Sequence, residues 1–551
     1  MPPVAFDRPT MLRRLADETF DVVVVGGGIT GVGVALDAAS RGLRTALVER
    51  DDFASGTSSK SSKLIHGGLR YLQQGDVALV YEALAERQRL RKLAPHLVKL
   101  LPFMIPILGK GGVVNRKLAR AMGSAMWAYD LTGGARIGRL HQRLRKDEAL
   151  AHMPTMPADP LQYAYLYYDA HADDARLCVA VARTAAAHGA VVANHAAVVG
   201  VMKNDDGRVT GVTVEADGQR FAVRAKVVVN AAGVWSDNVR ALDEGSNPAS
   251  LRPAKGIHIT VPWEKVRNDI AVVIPVPKDK RSLFVVPWGD LCYVGTTDTD
   301  YDGDLDDPQC TPEDLRYVLG ALNRSVTTEI TEADVVGSWA GLRPLVKAGA
   351  PGRTADLSRR HKVRASASGV VSVTGGKLTT YRRMAADAVD EVVKLVDADR
   401  RLWSRWALRS RTKRVKLLGA DGYEEPEPTS TTALHLAHRY GSEADDLTRL
   451  LDTADTGQGD LAAPLVPGLP YLRAEALWAV RHEMATTLDD VLSRRTRARI
   501  LARDASVTAA AAVAALIAPE LGWDADEVER QVTRYSELIA HEREALLGAA
   551  R

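Results

Sequence analysis

Residues 21–49 constrain the fold more than any other stretch. Asp21-Val-Val-Val-Val25 is a β-branched, apolar run and reads as a buried strand. Gly26-Gly27-Gly28-Ile29-Thr30-Gly31 follows as a turn, and a helix of small residues runs on to about Ser40. After Gly42, Thr45–Val48 is a second apolar strand, ending at Glu49. Together they form a β-α-β unit of about 30 residues, the length such a crossover requires. Gly26 permits the tight turn, Gly28 lets the backbone approach a pyrophosphate, and Gly31 lets helix and strand pack closely. Phosphates sit on the unpaired N–H groups at the start of such a helix. Glu49, about 20 residues on, is placed to accept bonds from adenosine ribose hydroxyls.

Two later segments choose between nicotinamide and flavin. Val227-Val-Val-Asn230 is a buried strand that ends in Ala231-Ala-Gly233, where small residues let a cofactor come close. Far along the chain, Gly369–Thr374 ends in Gly375-Gly376-Lys377 and a long helix. A second helix start aimed at the cofactor suits a flavin, whose reduced ring carries negative charge. Each segment alone is an ordinary strand-to-helix turn. The three in this order favour FAD.

Between these markers the chain predicts an α/β architecture. Residues from Val80 to about Lys146 read as basic and helical, broken by Pro95, Pro102 and Pro106. A helix over 173–188 precedes strands near 191–202, 208–215 and 220–224. Residues 251–345 read as mainly β, with turns at Lys278-Asp279 and Tyr301–Gly303. Strand signals vanish beyond Asp397, and the remainder reads as helical. The expected fold is an FAD-binding Rossmann-type domain interleaved with a β-rich substrate domain, followed by an all-helical C-terminal domain. FAD segments are placed at about 15–75, 170–240 and 345–397, and substrate segments at about 76–169 and 241–344. Together they fill residues 1–397, and the helical domain spans 398–551.

Composition excludes several classes. The net charge of +3 gives no general case for nucleic-acid binding. Three scattered cysteines, Cys178, Cys292 and Cys310, form no CxxC, which argues against a disulfide framework or a zinc site and fits a reducing compartment. No metal is expected. No signal-peptide core or apolar run of about 18 residues stands out, although Val507–Ala518 comes nearest.

Ser61-Ser-Lys-Leu-Ile-His-Gly-Gly-Leu-Arg-Tyr71 is far more specific than the glycine fingerprint. With Lys255-Gly-Ile-His258, Gly341-Leu-Arg-Pro344, Thr374-Gly-Gly-Lys-Leu-Thr-Thr-Tyr-Arg382 and Asn230-Ala-Ala-Gly-Val-Trp-Ser-Asp237, it resembles the FAD-dependent glycerol-3-phosphate dehydrogenases. The tail is similar to that family's helical domain, notably Ala474–Glu483 and Leu488–Arg497. The resemblance runs from about residue 15 to 545 and is weakest around 108–140 and 404–428. It implies oxidation of sn-glycerol 3-phosphate to dihydroxyacetone phosphate, with hydride passing to flavin N5 and electrons to a membrane quinone. It also implies a cytoplasmic enzyme, peripheral on the inner face of the cytoplasmic membrane, and a homodimer. Related oxidases pass the electrons to oxygen instead. A flavin amine oxidase of the same superfamily and a non-catalytic flavoprotein remain as other readings.

On this reading the cofactor contacts are Gly26, Gly28, Gly31, Glu49, Arg50, Thr57, Ser58, Ser62, Lys63, Leu64, Gly233, Gly375, Gly376, Leu378 and Thr379. Lys60 stands where a small residue is expected. Arg70, Arg343 and Lys377 supply cations for the substrate phosphate, with Tyr71, Thr380 and His258 beside them. The phosphate-suited cations argue against amine substrates. Proton removal from a secondary alcohol suits a histidine. His66 and His258 both lie in matching motifs and the sequence does not choose between them, while Arg343 is suited to stabilising a developing alkoxide. Arg87, Arg89, Arg91, Lys92, Lys99, Lys110, Arg116, Lys117 and Arg120, interleaved with apolar residues, read as a contact with an anionic membrane or as a solvated basic face.

Overall fold

The computed structural model describes residues 6–68, 76–109, 126–127, 129, 138–276, 281–347, 360–396, 408–427, 430–452 and 459–548. Two sheets organise the first two thirds of the chain. In the first, Thr19–Val25 lies between Thr45–Val48 and Gln219–Asn230, parallel to both. Val191–Ala193 and Val370–Thr374 extend this parallel core on either side. Its strands are near-continuous valine runs because helices cover it. Ile29–Ser40 packs against both Asp174–Ala187 and Tyr381–Val396. Sequence readings of strands at 220–224 and 227–230 merge into the single strand Gln219–Asn230.

The second sheet has ten strands and is mostly antiparallel. Leu251–Pro262 pairs with Leu291–Gly295 and with Gly337–Val346, a register that sets His258 opposite both Gly295 and Trp339. Lys99–Leu108 is a strand of this sheet, correcting the expectation of helix. Its Pro102 and Pro106 are four residues apart, so both missing N–H groups fall on one edge. The ladder to Leu161–His171 runs along the other, while Ala271–Pro275 pairs only at Phe103 and Met104. Pro312–Leu322 is a helix inside the segment read as β, started by a Thr311–Asp314 capping box.

Beyond residue 408 the described residues form helices joined by loops, the main ones being Thr431–Tyr440, Arg473–Glu483, Arg503–Leu521 and Ala525–Leu547. The expected domain boundary near 398 lies outside the described residues. Arg503–Leu521 is long and apolar enough by composition to cross a membrane, yet it packs against Arg473–Glu483 and Ala525–Leu547 with Val513 and Ile517 buried. The three cysteines are free and buried.

These helices meet the first sheet through ion pairs. Asp52, fully buried, accepts from Arg494 Nε and Arg495 Nη1 at 2.5 Å each. Arg497 Nη2 donates to the Ser59 carbonyl at 2.6 Å and lies 3.4 Å from Asp174. Arg176 forks onto Glu483. Asp52, His195 and Asp490 bring ligand atoms within 4.8 Å of one another, a spacing a metal could use. The surrounding guanidiniums already neutralise both carboxylates, with Arg494 on Asp490 at 2.6 Å and His195 Nε2 3.0 Å from it.

Candidate active site

The cofactor cradle begins at the glycine turn. Gly26 has φ +110°, a conformation L side chains rarely adopt. A Cβ on Gly31 would stand 1.8 Å from the Gly26 carbonyl, so helix and strand meet only because residue 31 has none. Glu49 spans the turn, accepting from Gly27 N at 2.5 Å and Asp51 N at 2.9 Å. Burial pushes its carboxyl pKa up, and these two donors act in the other direction. Gly28 caps the Ile29–Ser40 helix without a side-chain bond, leaving first-turn N–H groups for an anion. The Ile29 N–H is taken by Ser58 Oγ at 2.9 Å.

This turn opens on a cavity of 330 Å³ lined by Gly28, Glu49, Gly233, Gly375, Gly376 and Leu378. A Cβ on Gly233 would meet nothing within 4 Å, so the wall there is bare backbone facing open space. Arg50 and Thr57 also line the cavity. Arg50 bonds Asp306 at 2.7 Å and lies over the Trp235 ring, and Thr57 Oγ1 donates to the Leu342 carbonyl. The uncapped helix start, the adjacent glycine walls and the ribose-suited carboxylate fit FAD.

The loop from Ser59 to His66 leads from this cavity to the substrate sheet. Lys63 sits at φ +56° and gives its ammonium to Asp174 at 2.9 Å, above the Trp339 ring. Burial and the Arg497 charge hold that ammonium at about 8. Ser62 Oγ is 3.0 Å from His258 Nε2. His258 stacks on Trp339 with centroids 4.8 Å apart and rings 9° from parallel, the cross-strand pair that their register creates. Trp339 Nε1 in turn donates to the Ser61 carbonyl, and Tyr293 OH to that of Ser62. A Cβ on Gly295 would stand 2.3 Å from His258 Cδ2, so only glycine leaves room for the ring. His258 is 2% exposed and its Nδ1 has no hydrogen-bond partner among the described residues. Burial, then the charges of Lys63 and Arg343, push its pKa well below the usual histidine range.

Arg343 is held by Thr296 Oγ1 at 3.0 Å, the Thr297 carbonyl at 3.1 Å and Asp298 at 3.3 Å. On the other side of the loop, Leu64–Ile65 pairs with Ala170 and His171, and the His66 N–H donates to Thr379 Oγ1. Burial pushes the His66 imidazole down to about 4, and the Lys377 charge adds to this. Thr380 donates to the Lys377 carbonyl and is 3% exposed, so its hydroxyl is already engaged within its own turn. Arg70 and Tyr71 lie outside the described residues. Trp339, Thr296 and Arg497 were not among the expected site residues. Alternation along the strand placed Trp339 on the face of Arg343, four residues on, and Arg497 closed a quoted C-terminal motif that had no assigned task.

Fold and cavity together define a dinucleotide-dependent flavoprotein oxidoreductase. Residues 21–382 match the FAD dependent oxidoreductase family, and residues 410–528 match the C-terminal domain of alpha-glycerophosphate oxidase. Glycerol-3-phosphate dehydrogenase 2 of Mycobacterium tuberculosis is 42% identical over 543 residues, covering 96% of this chain and 89% of the relative. The human mitochondrial glycerol-3-phosphate dehydrogenase is 36% identical, covering 95% and 73%. The Bacillus halodurans glycerol-3-phosphate dehydrogenase, solved with FAD, superposes with a TM-score of 0.76 at 28% identity over 98% of both chains. This chain belongs to the FAD-dependent glycerol-3-phosphate dehydrogenase family, and its cofactor is FAD.

Proposed function

We propose that the enzyme oxidises sn-glycerol 3-phosphate to dihydroxyacetone phosphate and passes the electrons to a membrane quinone. The names of its relatives support the substrate, and one observation supports the chemistry. His258 is a desolvated imidazole, oriented by Ser62, whose buried Nδ1 is bonded by no described residue and feels the charge of Arg343. When bound, FAD supplies the hydride acceptor. Donation from His258 Nε2–H to Ser62 Oγ leaves the Nδ1 lone pair to take the proton of the substrate hydroxyl. Because its pKa is depressed, the imidazole is neutral and ready at pH 7. The Ser62 bond that orients the His258 ring has no counterpart at His66 among the described residues, which favours His258 as the base and leaves His66 a packing role against Phe284. Arg343, with Lys377 and Arg70, binds the phosphate and steadies the developing alkoxide.

The quinone reading rests on family likeness and on the surface. Of the seven exposed large apolar residues among those described, four (Val77, Tyr81, Trp127 and Leu140) fall in one stretch of sequence. Exposed apolar groups among cations suit an anionic bilayer. Part of the basic run has other duties. Arg87 is fully buried against Asp169, Arg89 pairs with Glu86, and Lys99 bonds Glu425. The membrane contact therefore falls to the rest of the run, chiefly Lys110, Arg116, Lys117 and Arg120, which lie outside the described residues. Replacement of two of these, R116E with K117E, should release the protein from anionic liposomes, and unchanged co-sedimentation would reject the contact. A homodimer completes this proposal, to be checked by light scattering. The decisive experiment is the anaerobic visible spectrum before and after sn-glycerol 3-phosphate. Rapid bleaching of the oxidised flavin bands supports the assignment, and persistent yellow rejects the substrate. Fast recolouring in air would favour the oxidase.

A further inference from the structure

A second cleft adjoins the cofactor cavity and shares Arg50, Thr57 and Trp235 with it. It measures 720 Å³ and lies between the 305–310 loop, the Gly337–Val346 strand and the C-terminal helices. Lys60 lines it, and among the described residues its ammonium makes no hydrogen bond and no ion pair. Its electrostatic neighbours are Arg499 and Arg494, which with burial hold the ammonium at about 8. Asp307 and Asp489 act the other way, but both are committed. Asp307 bonds His541 and Gln309, while Asp489 bonds Ser493 and Arg494. At the exposed rim, Arg534 also has no ion pair among the described residues. An unpaired, half-buried ammonium beside further cations, with Asp307 and Asp489 already bonded, is stabilised by an incoming anion.

We propose that this cleft is a second, non-catalytic site for a small dianion, a phosphate or a dicarboxylate, held by Lys60 within and Arg534 at the rim. The site lies on the flavin loop. Lys60 is two residues from Ser62, which orients His258. A Cβ on Gly341 would stand 2.4 Å from the Lys60 carbonyl, so the loop rests directly on the strand carrying Arg343. Occupancy is therefore felt at the flavin, and the site is regulatory.

The test uses FAD-loaded enzyme and acetic anhydride labelling of lysines at pH 8, quantified by peptide mass spectrometry. Inorganic phosphate and succinate are compared with sodium chloride at equal ionic strength. Labelling of Lys60 should fall about tenfold at saturation with one or both anions, as mass action requires. Protection by phosphate alone identifies a phosphate site, and protection by succinate alone a dicarboxylate site. The protecting anion should also shift the flavin absorbance, and K60Q with R534A should abolish that shift. Equal labelling of Lys60 in all three salts overturns the proposal, whatever the enzyme does with glycerol 3-phosphate. So does protection that leaves the flavin spectrum unmoved.

Discussion

Two regions of this enzyme bury ionisable groups in opposite ways. At the proposed substrate site, His66 and His258 are desolvated without a described carboxylate bonded to the ring, so both are kept neutral. At the seam with the C-terminal helices, Asp490, Arg494 and Arg495 are just as buried yet paired, Arg494 and Arg495 also bonding Asp52, so these three remain charged. Burial alone does not decide ionisation; the partner does. The first arrangement is the one the proposed mechanism uses for its base, and the second fixes two parts of the chain in one geometry.

His258→Ala should break the neutral region with the largest effect. Loss of a general base lowers kcat by about 10²–10⁴-fold, whereas His66→Ala, if His66 only packs, should leave kcat within about tenfold of wild type by the same reasoning. Stopped-flow flavin reduction measures both, and equal losses would reassign the base. Asp52→Ala attacks the charged region. It takes from the buried Arg495 its carboxylate partner, while Arg494 keeps Asp489 and Asp490, and should cost about 3 kcal/mol, read as a fall in Tm. An unchanged Tm would mean that the seam carries little stability.

A pH titration of stability sharpens the contrast. His66 and His96 have folded pKa values of about 4 and about 3, below the unfolded value near 6.5. Their contribution is full above 6.5 and is lost as pH falls toward those folded values, because only the unfolded chain takes up the protons. Each steepens the loss by about 1.4 kcal/mol per pH unit in that window. His195, raised by Asp490, has the opposite sign, contributing below 6.5 and fading as pH rises through its folded pKa. Denaturant midpoints between pH 4 and 8 check the balance, and a flat profile below 6.5 would contradict the neutral histidines. The smallest effect belongs to Arg50→Ala. Its ion pair with Asp306 is about half exposed, so the cost should be at most about 1 kcal/mol.

Much of the parallel sheet was legible because the glycine turn and the valine strands signal locally. Lys99–Leu108 was not, since Pro102 and Pro106 argue against a strand unless one edge is spared pairing. The helix at Pro312–Leu322 was lost among β signals, although Thr311 and Asp314 marked its start. In the site, motif likeness nominated His258 and Arg343. The stacking of His258 on Trp339 depends on the register of two strands about 80 residues apart, and no local pattern encodes that. Arg497 was invisible for the same reason, because its partner is the Ser59 carbonyl.

The seam has a consequence for how the enzyme is made. Asp52 meets Arg494 and Arg495 across 442 and 443 residues of sequence, and Ser59 meets Arg497 across 438. While the ribosome is still translating the middle of the gene, the nucleotide-binding turn has already emerged, but the cations that fix its loop do not yet exist. Firm capture of the cofactor therefore follows synthesis of the last helices, and a nascent chain stalled before residue 494 should emerge colourless.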